Sequence, residues 1–419
     1  MFQWFPASTD ITEPVLESFP GRAFSVYSVF VFSSRCNFDR GATGNSAPVV
    51  TLRRKLLSRR CRCNFVFPVD ALEIITAMNC PQCFNLGALC MKTMTNNAKA
   101  ISTFCSHLCV GKDVRPLEPS EWSALAAKMM EIGVAPEKLL SFSAQDFIEI
   151  LGETPESAQR MTRLLERSAS LAFEIADYEA KGIHIITRAD DEYPKQLKEK
   201  LKRSCPPLFY CAGDMSILHR KAVGYVGSRK VSPEDAKFAV DTVSKTVGNQ
   251  YAVVSGGAKG VDTISSETAI NSGGFAIEYL GDSMIKRMKN PALLEAIQNG
   301  QLLLLSFVNP DAGFFTGNLM ARNKFIYAQS VGTVIVRSEK KGGTWTGANE
   351  NLRNGWCASF CWNKPEYDGN QELIRLGCIP IDDVWDGNPE QSEGDGIKKA
   401  ETVSRPADGG EQLLIPGFE

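Results

Sequence analysis

The stretch "AVGYVGSRKVSPEDAKFAV", residues 222–240, reads as a strand, a turn and a helix. Ala222 to Val226 is a short apolar run closed by Gly227. Ser232, Pro233, Glu234 and Asp235 then form a helix start: an N-cap hydroxyl, a proline at the first helical position and two acids in the first turn. The turn Gly227-Ser228-Arg229 therefore lies between the carboxyl end of a strand and a helix N-terminus. In an open α/β sheet that edge gathers backbone N–H groups and helix dipoles, and Arg229 adds a planar cationic fork suited to phosphate.

The same unit repeats along the chain. Apolar runs at 251–255, 275–280, 302–307, 333–337 and 357–361 alternate with helical patterns at 262–272, 291–299, 317–329 and 346–354. Strands of this kind, continuously apolar and separated by helices, predict a Rossmann-like, doubly wound and mainly parallel α/β sheet over residues 220–382. Upstream, "EPSEWSALAAKMMEIG" (118–133) sets Trp122, Leu125, Met129 and Ile132 at helical spacing, and further capped helices at about 143–151 and 155–180 complete a small helical domain over 94–180. Ile183–Thr187 and Leu208–Cys211 read as short strands in a connector over 181–219. Residues 383–419, rich in Gly, Pro, Asp and Glu, read as an acidic flexible tail.

Charge is nearly balanced, at −2 overall, which excludes a protein that coats nucleic acid by bulk charge. The balance is uneven, however. Residues 220–380 carry 18 Lys and Arg against 14 Asp and Glu, while 381–419 carry 3 against 10. No run reaches membrane-spanning length and no secretory signal is visible, so a soluble, cytoplasmic protein is expected. Eight of the 13 cysteines precede residue 110. Cys61-x-Cys63 with Cys80-x-x-Cys83 resembles a zinc ribbon, with Cys90, Cys105, His107 and Cys109 as further donors. C-x-C is an atypical knuckle, though, and residues 1–93 lack periodicity, as an upstream extension assigned ahead of Met91 or Met94 would; no metal is assigned.

In a parallel sheet the loops after the strands converge on one edge. They are Gly227-Ser228-Arg229; Ser255-Gly256-Gly257-Ala258-Lys259-Gly260-Val261-Asp262; Leu280-Gly281-Asp282; the 308–316 loop leading to Arg322-Asn323-Lys324; and Lys340-Lys341-Gly342-Gly343-Thr344-Trp345-Thr346. Glycines allow close backbone approach to an anion, and hydroxyls and cations complete the contacts, so the set suggests a phosphate-binding groove. Trp345 either stacks on a base or packs into the sheet edge.

"VGSR", "VVSGGAKGVD", "ARNKFI", "GGTWTGA" and "DGNQELIRLGCIPI", in this order and spacing, resemble the DNA-processing protein A family, also called DprA or Smf, and "DDEYPKQL" and "CPPLFYCAGD" resemble the stretch ahead of its main domain. The helices around 119–180 are similar to its sterile-alpha-motif-like N-terminal region. The resemblance implies a Rossmann-like domain that binds single-stranded DNA, usually as a homodimer, and helps place a RecA-type recombinase on it, with no catalytic activity and no cofactor. By position, the G-S/T-R motif falls on Gly227, Ser228 and Arg229. The S-G-x-A-x-G-x-D motif falls on Ser255, Gly256, Ala258, Gly260 and Asp262, and R-N-R/K on Arg322, Asn323 and Lys324. Arg229, Lys259, Arg322 and Lys324 are the expected phosphate ligands. The chain departs from the family where "VDTISSETAI" lacks a histidine, where "GGTWTGA" replaces S-G-S-L-x-T-A, and where the short tail leaves no winged-helix-like extension.

Two enzyme readings compete. The cytokinin-activating phosphoribohydrolases carry P-G-G-x-G-T-x-x-E, but "KGGTWTGAN" sets Asn349 at the acid position and leaves Glu350 one residue out of register. A dinucleotide oxidoreductase would need G-x-G-x-x-G after the first strand, which is absent. A nucleotide sensor could use the same four cations.

Overall fold

The computed structural model describes residues 50–53, 64–67, 94–111, 114–382 and 385–390. Two compact units divide the chain, Met1–Lys92 and Thr93–Glu419. In the first, β1 (Val50–Arg53) pairs antiparallel with β2 (Asn64–Phe67). Cys61, Cys63, Cys80, Cys83 and Cys90 lie outside the described residues.

The second unit opens with five helices: α1 (Asn96–Cys105), α2 (Pro119–Glu131), α3 (Ala144–Glu149), α4 (Pro155–Glu166) and α5 (Ser168–Ala180). Three have local start signals in the sequence: Thr95, Ser143 and Thr154 accept hydrogen bonds from first-turn backbone N–H groups. Their apolar faces close around Phe104, Trp122, Phe147 and Leu164. Cys109 is spoken for, its thiol donating to Glu174 Oε2 at 2.6 Å. Among the described residues no cluster of three or more His, Cys, Asp or Glu is placed to hold a metal.

The strands that follow are β3 (His184–Thr187), β4 (Leu208–Ala212), β5 (Ala222–Val226), β6 (Ala252–Ser255), β7 (Ala276–Leu280), β8 (Leu302–Ser306), β9 (Gly332–Ile335), β10 (Ala358–Trp362) and β11 (Ile379–Ile381). They form one nine-stranded sheet in the order β11-β10-β9-β5-β6-β7-β8-β4-β3. Seven strands are parallel; β4 and β3 add an antiparallel edge through Tyr210↔Ser306 and Ile186↔Phe209. The stretch read as a connector over 181–219 thus extends the sheet, because the wholly buried LFYCA of β4 needs a partner on each side. Between its strands lies α6 (Lys195–Leu201).

The crossovers are α7 (Pro233–Gly248), α8 (Val261–Asn271), α9 (Met284–Met288), α10 (Pro291–Gln298), α11 (Thr316–Gln329), α12 (Gly343–Asn354) and α13 (Asp368–Arg375). Ser232 and Asp235 cap α7 reciprocally, as the sequence predicts. Alternate strand residues feed two cores. Val223, Tyr225 and Val253 pack with Phe238 of α7 and Val261 of α8, while Ala222, Val226 and Val254 pack with Phe325 of α11 and Ala348 of α12. The strands are apolar throughout because both faces are covered.

The tail expected from residue 383 is docked over 385–390. Trp385 is buried with its ring 5.6 Å from that of Phe360, Tyr251 Oη donates to Glu390 Oε2 at 3.0 Å, and Lys221 Nζ lies 2.7 Å from Glu390 Oε1. An aromatic ring able to cover the end of the sheet outweighs the polar composition around it. Among the described residues no helix is long and apolar enough to cross a membrane.

Candidate functional site

Strand order reverses between β5 and β9, and at the carboxyl ends of these two strands lies a cleft of about 470 Å³. Such a switch point is where open α/β sheets bind ligands, because the loops on its two sides diverge. Its walls are the turn after β5, one side of α11, the start of α12 and the segment 337–342 after β9.

Glycines allow these loops to touch. A Cβ at Gly227 would stand 2.5 Å from Val261 Cγ2, and one at Gly260, whose φ is +92°, would stand 2.4 Å from the Ser228 carbonyl oxygen. The β6 loop is thereby pressed onto the β5 turn. Gly257 at φ +64° packs on Glu278, whose buried carboxylate takes two hydrogen bonds from Arg287, at 2.7 and 2.9 Å. Across the cleft, Thr344 Oγ1 donates to the Gly227 carbonyl at 3.0 Å and Asn323 Nδ2 donates to the Gly343 carbonyl at 3.1 Å, tying α12 to β5 and α11.

The floor is Arg322. Its side chain is 3% exposed and lies against the backbone of Gly256, where a Cβ would fall 1.0 Å from Nη1. Nη1 is 3.5 Å from Asp262 Oδ2, yet neither Nη1 nor Nε has a hydrogen-bond partner among the described residues, and the buried Tyr327 hydroxyl is likewise unpartnered. Burial pushes the Asp262 carboxyl above its usual range, opposed by Arg322 and by the Ala258 N–H; burial pulls Arg322 down, opposed by Asp262. Guanidinium holds its proton through such shifts. Beside it lies the start of α12, whose N-cap Gly342, φ +89°, gives no side-chain cap, so its first-turn N–H groups have no acceptor within the helix, and Gly343 and Thr344 of that turn line the cleft. An uncapped helix N-terminus beside a buried guanidinium suits an anion by charge and by donor count.

Exposed cations rim the cleft: Arg229, Lys230 and Lys341, with Arg337 half-buried between Asp235 (3.2 Å) and the Tyr367 ring (4.7 Å). Of the residues singled out in the sequence, Gly227, Ser228, Arg229, Ala258, Asp262, Arg322, Asn323, Gly342, Gly343 and Thr344 meet here. Apart from Lys341, the others stand outside the lining. Ser255 is buried and donates to the Tyr225 carbonyl, Gly256, Gly257 and Gly260 act through packing, and Lys259 and Thr346 are exposed. Lys324 points to the far side of α11, donating to the Ser204 carbonyl at 3.3 Å with Glu350 nearby. Trp345 belongs to the first turn of α12, not to a loop, and packs against the core beside Ala348. Glu350, the acid a hydrolase would need, is outside the cleft lining, where Asp262 and Glu339 are the carboxylates. Lys341, from the Lys340-Lys341-Gly342 loop, lines the cleft as well, and Lys230 and Arg337 join it without being marked in the sequence. Lys230 adjoins Arg229 in sequence, whereas nothing local marks Arg337.

Residues 184–386 match the family model of DNA recombination-mediator protein A. The chain is 29% identical over 168 residues to DNA processing protein DprA of Streptococcus pneumoniae, covering 40% of this chain and 58% of that relative, less than two thirds of its length. It is 26% identical over 228 residues to DprA of Bacillus subtilis, covering 52% and 75%. The X-ray structure of DprA from Streptococcus pneumoniae superposes with a TM-score of 0.53 at 22% identity, over 72% of this chain and 97% of that one, so the fold is shared. The matched segment runs from β3 to the docked Trp385, and over it the chain is similar to the DprA/Smf family.

Proposed function

We propose that the chain binds single-stranded DNA by its phosphates in the switch-point cleft, acts in DNA processing, and passes the strand to a RecA-type recombinase. What carries the reading is the cleft lining: Gly343 and Thr344 of the first turn of α12, whose N–H groups have no acceptor within the helix, and buried Arg322, with its unpartnered nitrogens, line one cavity with a basic rim. Backbone amides and a guanidinium hold a phosphate without reading a base, so affinity would be sequence-tolerant and salt-sensitive. The names borne by the relatives, DNA processing protein and recombination mediator, fit this role. The proposed phosphate contacts are Arg229, Arg322, Gly343 and Thr344, joined by Lys230 and Lys341; a homodimeric, non-enzymatic, cytoplasmic protein belongs to the same reading.

Fluorescence anisotropy of the full chain with labelled oligonucleotides of increasing length, at two salt concentrations, tests it. Affinity that grows with length, falls with salt and is poorly competed by duplex is the expected result. Saturation by a mononucleotide with no gain from length would instead make the cleft a small-ligand site.

A further inference from the structure

Large apolar side chains exposed elsewhere, such as Phe173, Val240 and Leu294, stand on three different helices. Scattered exposure of that kind is ordinary. The segment entering α11 differs: Phe314 is 65% exposed, Phe315 54% and Met320 39%. Met320 lines the cleft with Thr316 and Leu319, and Phe314 and Phe315 directly precede Thr316 in the chain. Their placement is built. The Phe315 ring rests where a Cβ at Gly317 would be, 2.5 Å from its Cε1, and the Arg229 guanidinium sits 5.9 Å from the centre of the Phe314 ring. An exposed apolar and aromatic segment thus adjoins the cleft, reaching it through Arg229 and Met320, while Lys341, Gly343 and Thr344 also line it.

A polynucleotide has this two-sided character, with phosphates along one edge and flat bases along the other. We infer that Phe314 and Phe315 form a stacking rim for unpaired bases of the strand whose phosphates occupy the cleft, and that this rim makes the site select single strands over duplex. The inference rests on the reading of the cleft as a DNA-phosphate site. Every base has a π-face, so such stacking tolerates any sequence, whereas in a duplex those faces are spent on neighbouring bases. The Arg229 guanidinium beside Phe314 is placed to hold a phosphate while its neighbour holds the attached base.

The test compares the full-length chain with Phe314→Ala, Phe314→Trp and Phe315→Ala. Binding is read by anisotropy against an oligothymidylate and against an abasic oligomer of equal length, with thermal unfolding as the control for folding. Phe314→Ala is expected to weaken oligothymidylate binding about 5- to 150-fold, to leave abasic binding and the salt slope unchanged, and to narrow the preference over duplex. Phe314→Trp should restore affinity. If the unaltered chain binds oligothymidylate and Phe314→Ala and Phe315→Ala bind it equally well, or lose abasic binding in the same proportion, the stacking rim is refuted and the phosphate site stands. If the unaltered chain binds no single strand, the reading of the cleft fails and the rim with it.

Discussion

Replacing Gly256 with alanine adds one methyl group where none fits. The new Cβ would fall 1.0 Å from Arg322 Nη1 and 2.0 Å from its Cζ, distances no relaxation of the Gly256 backbone can open while the guanidinium stays in place. Arg322 must leave, and Asp262, buried and 3.5 Å from Nη1, loses its cation. Breaking a buried pair on one side costs about 3 to 5 kcal/mol. Part of this is recoverable, since burial already raises the Asp262 carboxyl and a proton can neutralise it. Urea unfolding at neutral pH should therefore show Gly256→Ala destabilised by about 3 kcal/mol, with the deficit shrinking as pH falls and Asp262 protonates. The same variant should lose single-strand affinity because the cleft floor has moved. A variant as stable as the parent with unchanged affinity would refute the role given to Gly256 and the placement of Arg322.

Other consequences are separable. Arg229→Ala and Lys341→Ala remove exposed rim charges, so each should leave unfolding within about 0.5 kcal/mol of the parent while reducing the slope of log affinity against log salt by about 0.7; an unchanged slope would remove that side chain from the phosphate contacts. Asp235 is pushed up by burial but held below the usual carboxylate range by the Ser232 N–H, Tyr367, the Ser232 hydroxyl and Arg337. Its contribution is present above the ordinary value of 3.8 and lost as pH falls through the depressed value. Asp235→Asn should then reduce stability at neutral pH and flatten the acid limb of the stability curve; a limb as steep as the parent's would assign acid sensitivity elsewhere.

Much of this fold is legible locally. The apolar runs and capped starts mark the parallel strands and their helices because fully covered strands leave no polar face to confuse the pattern. The glycine turns mark the cleft for the same local reason. Arg322 shows where this stops. Its motif suggests a surface cation, and only the packing of α11 beneath the β6 loop reveals a buried floor residue against Gly256. Lys324, two positions on, lands on the other side of the helix, since 200° of rotation separates i from i+2. Arg337, at the end of β9, enters the cleft because strand order places β9 beside β5, a pairing of distant segments that no local pattern encodes. Trp385 is hidden in an acidic stretch for a similar reason: its partner, Phe360, lies on a strand some distance back in the chain.

The most direct measurement is hydrogen–deuterium exchange at the backbone amides of Gly343, Thr344 and Trp345, in the full chain with and without a saturating single-stranded oligonucleotide. These first-turn N–H groups have no intrahelical acceptor, so they should exchange rapidly in the free protein and slow on binding, when phosphate oxygens accept them. Tight binding that leaves their exchange unchanged would place the strand elsewhere and contradict the switch-point cleft as the DNA site.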